Sequence, residues 1–180
     1  MDNEMLRKIQ VDIRKNFGKA VKWDNVPKEN FNCYMFAVSN TVPTEVFAHE
    51  ENGAVKLRSL LSESVAYFGD IGQISGKTAY NNATELIEAL TCDLETLGIL
   101  AESCSSDTIV PEQCVKIAFY YNTEALAEGR HSNFHFFRHE GGTWKCKRNW
   151  KKDVEQLECP IEDISITGLE LIGYFQLSLT

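Results

Sequence analysis

One of the chain's six cysteines is placed for nucleophilic chemistry, and one of its four histidines is placed to serve it. Cys33 lies in Asn32-Cys33-Tyr34-Met35-Phe36-Ala37-Val38, where a polar, loop-like stretch turns abruptly amphipathic. With residues 25–32 as loop and 36–39 in a helix, the thiol falls in the first helical turn. Unpaired N–H groups and the positive end of the helix dipole favour thiolate there. A cysteine nucleophile also needs a base. Of His49, His131, His135 and His139, only His135 is flanked on both sides by strand-forming aromatics, in Asn133-Phe134-His135-Phe136-Phe137. A strand would hold its backbone in a ladder and project its ring from one face.

The same histidines pose a metal alternative, because His131, His135 and His139 recur every fourth residue. On a helix that spacing stacks three imidazoles on one face. On a strand it separates successive rings by roughly 13 Å, too far for one ion. Gly129, Gly141-Gly142 and the intervening phenylalanines favour the strand, so neither a metal nor a cofactor is expected. The other cysteines, at 92, 104, 114, 146 and 159, are irregularly spaced and form no Cys-x-x-Cys pair. They read as reduced, mostly buried thiols rather than disulfides or a zinc knuckle.

The elements that must position this pair are legible in part. Met5, Leu6, Ile9, Ile13 and Phe17 give a helix over 4–17 that stops at Gly18. Residues 33–39 form a second, short helix, and Leu57, Leu60, Leu61, Val65 and Phe68 suggest a third over 57–68. Leu86, Ile87, Leu90, Leu94 and Leu97 mark a further helix, capped by Asn82 or Thr84 and ending near Gly98. Strands dominate after Pro111: 114–121, 132–138, 143–147, 164–167 and 169–177. A two-residue loop at Glu140-Gly141 would pair Arg138 with Thr143 and set Cys146 directly across from His135. Helices first and an antiparallel sheet afterwards is an α+β layout, here one domain over 1–180 with no linker or repeat.

Composition bounds the partners. The 180 residues are 43% hydrophobic with a net charge of −8, and the pI is near 5.0. Only 145–152 clusters basic residues, with Trp144 and Trp150 interleaved, and it reads as a solvated basic rim rather than a nucleic-acid surface. No 18-residue apolar run exists and Met1-Asp2-Asn3-Glu4 is no signal peptide, so no membrane span is expected and the chain reads as cytoplasmic.

Asn32-Cys33-Tyr34-Met35-Phe36-Ala37, the Gly69-Asp70 pair and a later strand histidine resemble papain-like cysteine hydrolases, nearest the bacterial and phage CHAP amidases and NlpC-type peptidases. The stretch from Asn133 to Lys147 is also similar to a pattern in small papain-like bacterial proteins: Asp-Tyr-His-aromatic-Tyr-Arg, a glycine turn, then Thr-Trp-Ser-His-Lys. The resemblance covers about half the chain. It implies a papain-like fold with the nucleophile at a helix start packed on the sheet, and Gly69-Asp70 opening the first strand. It assigns Cys33 as nucleophile and His135 as general base. The Cys33 N–H would help hold the oxyanion. Asn32 is either a second donor there or the helix cap. Tyr34 and Phe36 are packing residues.

The third catalytic position departs from the pattern, since Cys146 stands where a histidine follows Trp-Ser, and a thiol orients imidazole poorly. Asn149 is the alternative, approaching from the strand end. The expected activity is cleavage of an amide bond through an acyl-enzyme on Cys33, on a peptide or a peptidoglycan-like substrate. A cell-wall target would need a non-standard export route. The alternative is an inactive papain-like scaffold that binds a protein partner as an effector or inhibitor.

Overall fold

A computed structural model describes residues 3–17, 32–38, 50–51, 54–55, 70–129, 133–147 and 154–180. Helix α1 (Asn3–Asn16) buries Ile9, Ile13 and, just beyond its end, Phe17, one stripe at helical spacing. Helix α2 (Cys33–Val38) has only six residues and buries all of them. So short a helix has little stability of its own; burial and its caps hold it. Asn32 Oδ1 accepts the Met35 N–H at 2.9 Å, which is the capping role. Strands β1 (Glu50–Glu51) and β2 (Ala54–Val55) form a separate two-stranded antiparallel pair. Helix α3 (Ala83–Thr96) is capped by Asn82, whose Oδ1 accepts the Glu85 N–H. Its chain reverses at Gly98, φ +78°, whose N–H bonds Glu95 O at 2.9 Å, a glycine-terminated helix end.

Six strands follow: β3 (Ile99–Cys104), β4 (Val115–Tyr121), β5 (Phe134–Glu140), β6 (Thr143–Lys147), β7 (Val154–Gln156) and β8 (Glu170–Leu179). They form one sheet in the order β3-β8-β4-β5-β6-β7, antiparallel at every described pairing. A short helix, α4 (Thr123–Ala127), joins β4 to β5, and a 3-10 turn spans Ile161–Asp163. Helices and an open antiparallel sheet together make an α+β arrangement. Both sheet faces are covered. Val115, Ile117, Phe119 and Tyr121 join the cluster of α1, α2 and α3. Ala118 and Tyr120, on the alternate face, join a smaller cluster with Phe137, Cys146 and Ile161, against which Leu157, Ile164, Ile166 and Leu169 pack. Among the described residues no helix is long and apolar enough to cross a membrane.

Several expectations need correction. The β5–β6 turn is Gly141-Gly142, so that Glu140 pairs with Thr143 and Cys146 faces Phe137 rather than His135. Both glycines have positive φ, 62° and 81°, as a two-residue turn of the I′ type demands; Glu140 in that turn would be strained. Asp70 opens a run of turns through Gly76 rather than a strand. Residues 164–167 form only an isolated bridge, Ile166 to Leu169. Strands β1, β2, β3 and β7 and helix α4 are additional. The helix expected over 57–68 lies outside the described residues, as does Gly69.

One buried carboxylate ties these parts together. Asp93, on α3, is 0% exposed. Its Oδ2 accepts the Tyr34 hydroxyl at 3.2 Å and the Gly72 N–H at 2.7 Å. Its Oδ1 accepts the Ser75 N–H and hydroxyl, each at 2.7 Å. Burial nonetheless raises its pKa above the ordinary aspartate value, against the pull of the Ser75, Gly72 and Tyr34 bonds. Replacing an acceptor oxygen with an NH₂ group leaves buried donors facing a donor. Asp93→Asn should therefore cost about 1–3 kcal/mol. The urea midpoint should fall with the slope unchanged; an unmoved midpoint would show that the four bonds contribute little.

Candidate active site

Helix α2 is fixed to the sheet by stacked rings and by its two ends. Phe119 and Phe136, cross-strand partners on β4 and β5, stack with centroids 4.5 Å apart. Tyr34 stacks on the other side of Phe136 at 5.1 Å. Such pairs add to the hydrophobic gain of burying the rings. At the far end of α2, Arg138 Nη1 donates to Phe36 O and Ala37 O, both at 3.4 Å. A guanidinium there satisfies carbonyls the helix leaves open and suits the negative end of its dipole. Burial pushes the Arg138 pKa down to about 10, with the Glu140 carboxylate acting against it. Arg138 thus stays charged at neutral pH, 3.8 Å from Glu140 Oε1.

This clamp sets the Cys33 thiol against the edge of β5. Asn122 N–H bonds Asn133 O across to β4. The alternation of backbone groups then turns Phe134 C=O and Phe136 N–H the other way, toward β6. The described β5–β6 ladder ends at Phe137–Cys146, and beyond that point the thiol takes over. Cys33 Sγ donates to Phe134 O at 3.9 Å and accepts a backbone hydrogen bond from Phe136. It therefore contacts the backbone immediately before and immediately after His135.

The electrostatics run opposite to the thiolate expectation. The Cys33 pKa is pushed up to about 12, first by burial; backbone hydrogen bonds from Phe136, Cys33 itself and Tyr34 lower it, and Cys146 adds an upward push. Cys33 is only 8% exposed, and desolvation of a charged sulfur outweighs what one short turn of helix offers.

His135 belongs to the other face of β5. Phe134 and Phe136 pack toward α2 with Tyr34, so the alternate residues His135 and Phe137 point away from it. Their rings meet edge to face at 4.9 Å. Both line a cleft of roughly 510 Å³ between the sheet and the segment 157–169, with Cys146 on the same wall. Leu157, Ile164, Ile166 and Leu169 form the facing wall, and Asn122, Asn133, Ser165 and Thr167 supply its polar groups. Cys33 approaches from the helix side. His135 is thus a rigid strand histidine in a cleft, with the thiol lodged at the edge of its own strand.

The remaining candidates separate as follows. Asn149 lies outside the described residues. Cys146 sits one pleat from His135 on the cleft face rather than directly opposite it. Of the basic cluster, Lys145 pairs with Glu140 at 3.0 Å, and Lys147 is 0% exposed, so these two are no solvated rim; Arg148, Trp150, Lys151 and Lys152 lie outside the described residues. Among the described residues no group of three or more histidine, cysteine or acidic side chains is placed to hold a metal, and His135 and His139 stand on a strand. None of the six cysteines is in a disulfide. Sequence reasoning missed Asp93, Arg138 and Asn122. An aspartate inside an apolar helix stripe and an arginine inside an aromatic strand were the available signals for the first two.

The raised thiol pKa has a thermodynamic consequence. In the unfolded chain the thiol ionises near 9.0, whereas in the fold it keeps its proton to about 12. The native state binds the extra proton between those values, so the contribution is intact below pH 9 and is lost as pH rises toward 12. The loss is at most about 1.4 kcal/mol per pH unit. Cys33→Ser, which cannot titrate there, should show a shallower fall of unfolding free energy above pH 9; parallel curves would contradict the raised pKa. No family model, curated protein or solved structure matches the chain.

Proposed function

We propose that the chain is a papain-like thiol hydrolase that cleaves an amide bond, with Cys33 as nucleophile and His135 as general base. The observation that carries this reading is the lodging of Cys33 Sγ against the backbone on both sides of His135, whose ring lines a cleft together with Cys146. In this reading the Cys33 S–H proton passes to the imidazole, and the sulfur attacks the amide carbonyl carbon. The oxyanion forms beside the Cys33 N–H at the start of α2. The imidazolium returns the proton to the leaving amine, and water then releases the acid from the acyl-thioester. At neutral pH the resting thiol is about five units below its pKa of about 12. The proton transfer is therefore costly unless substrate and imidazole arrive together.

A second reading is favoured by Cys146, which occupies the wall where a polar orienter of the imidazole would be useful. In it the same scaffold holds a ligand in the cleft and performs no chemistry. Alkylation separates the two. For the hydrolase, a substrate-like alkylator such as N-acetyl-Ala-Leu-Ala chloromethyl ketone at pH 7 should modify buried Cys33 faster than exposed Cys159, and His135→Ala should abolish that preference. Rapid labelling of Cys159 with Cys33 inert, unchanged by His135→Ala, would leave the binding reading alone.

A further inference from the structure

We infer that the cleft over β5 and β6 accepts an uncharged peptide segment carrying a bulky apolar side chain, and selects against an acidic one. This names the substrate class for the proposed hydrolase and rests on that reading for the fate of the bound amide. The volume, roughly 510 Å³, lies in the range of sites that enclose a small ligand. It holds one large side chain with its flanking peptide groups. Phe137 on the sheet side and Ile164, Ile166 and Leu169 on the facing side give the side chain apolar contact on both faces.

Apart from His135, the polar side chains described in the cleft are amides and hydroxyls suited to peptide groups. Asn122 Oδ1 is taken by the Ala125 N–H at 2.9 Å as the cap of α4, so its Nδ2 is the group left to donate to a substrate carbonyl. The Ser165 and Thr167 hydroxyls either donate or accept. Among the described lining residues no lysine, arginine, aspartate or glutamate occurs. A carboxylate entering the cleft would lose its water with only His135, the resting neutral base of the proposed hydrolase, as a possible ion partner among the described lining residues, which is unfavourable. Occupants with an acidic side chain are therefore disfavoured relative to leucine or phenylalanine.

The test is an NMR titration of the full chain, observing the methyl groups of Ile164, Ile166 and Leu169 at pH 7. Two probes are used, N-acetyl-Ala-Leu-Ala-amide and N-acetyl-Ala-Glu-Ala-amide. The leucine peptide should shift these methyls and bind at least about tenfold more tightly than the glutamate peptide, given the cost of an unpaired buried carboxylate. Thr167→Lys, an exposed change on the rim, should narrow that ratio by supplying the missing partner. Equal or tighter binding of the glutamate peptide, no methyl shift with either peptide, or a ratio unmoved by Thr167→Lys would each overturn the inference. None of these readouts depends on turnover, whereas the alkylation of Cys33 reports on the hydrolase reading separately.

Discussion

The carboxylate of Asp93 is the constraint on which the arrangement of the site depends. It lies at 0% exposure and joins three separate pieces of chain: α3, on which it stands, the turns from residue 70 to 76, and α2 through the Tyr34 hydroxyl. A buried carboxylate is tolerated only when its lone pairs are occupied, and these four bonds occupy them with defined geometry. Tyr34 then transmits that fixed point to the sheet through its stack on Phe136. The helix bearing Cys33 is too short to choose its own position, and this chain of contacts chooses it.

Two physical effects compete at the thiol, and their sizes decide its state. A helix start and backbone donors lower a thiol pKa, while removal from water raises it. In a six-residue helix with every side chain buried, removal from water prevails. The neutral S–H is then useful structurally, because it both donates and accepts beyond the last described β5–β6 pair. The features that hold the sulfur in register with His135 are the same ones that keep it protonated at rest.

Much of this was legible in the residues. The stripes of α1 and α3, the caps at Asn32 and Asn82 and the aromatic strands β4 and β5 all follow from local patterns, and each was strong enough to survive tertiary context. β3 escaped because Ile99-Leu100-Ala101-Glu102 begins immediately after a helix; only the pairing with β8 makes its alternation meaningful. The faces of the site were harder. That His135 looks away from α2 depends on which of two alternating sets is wanted by the helical core, and Tyr34, Phe119 and Phe136 settle that from distant parts of the chain. The hydrogen-bond partners given above for Asp93 and Arg138 lie 18 to 102 residues away, beyond any local pattern.

The Gly141-Gly142 turn has a consequence for how such a site diverges. Because side chains alternate along a strand, one added residue in that turn would slip the register of β6 and reverse its two faces. Cys146 would move to the helical side, and Lys145 and Lys147 would come round to the wall now shared with His135. A cleft with no lysine or arginine among its described lining residues would gain two cationic side chains without any substitution. The length of a two-glycine loop is therefore an inherited setting for the electrical character of the pocket, open to change by a single codon inserted far from the nucleophile in sequence.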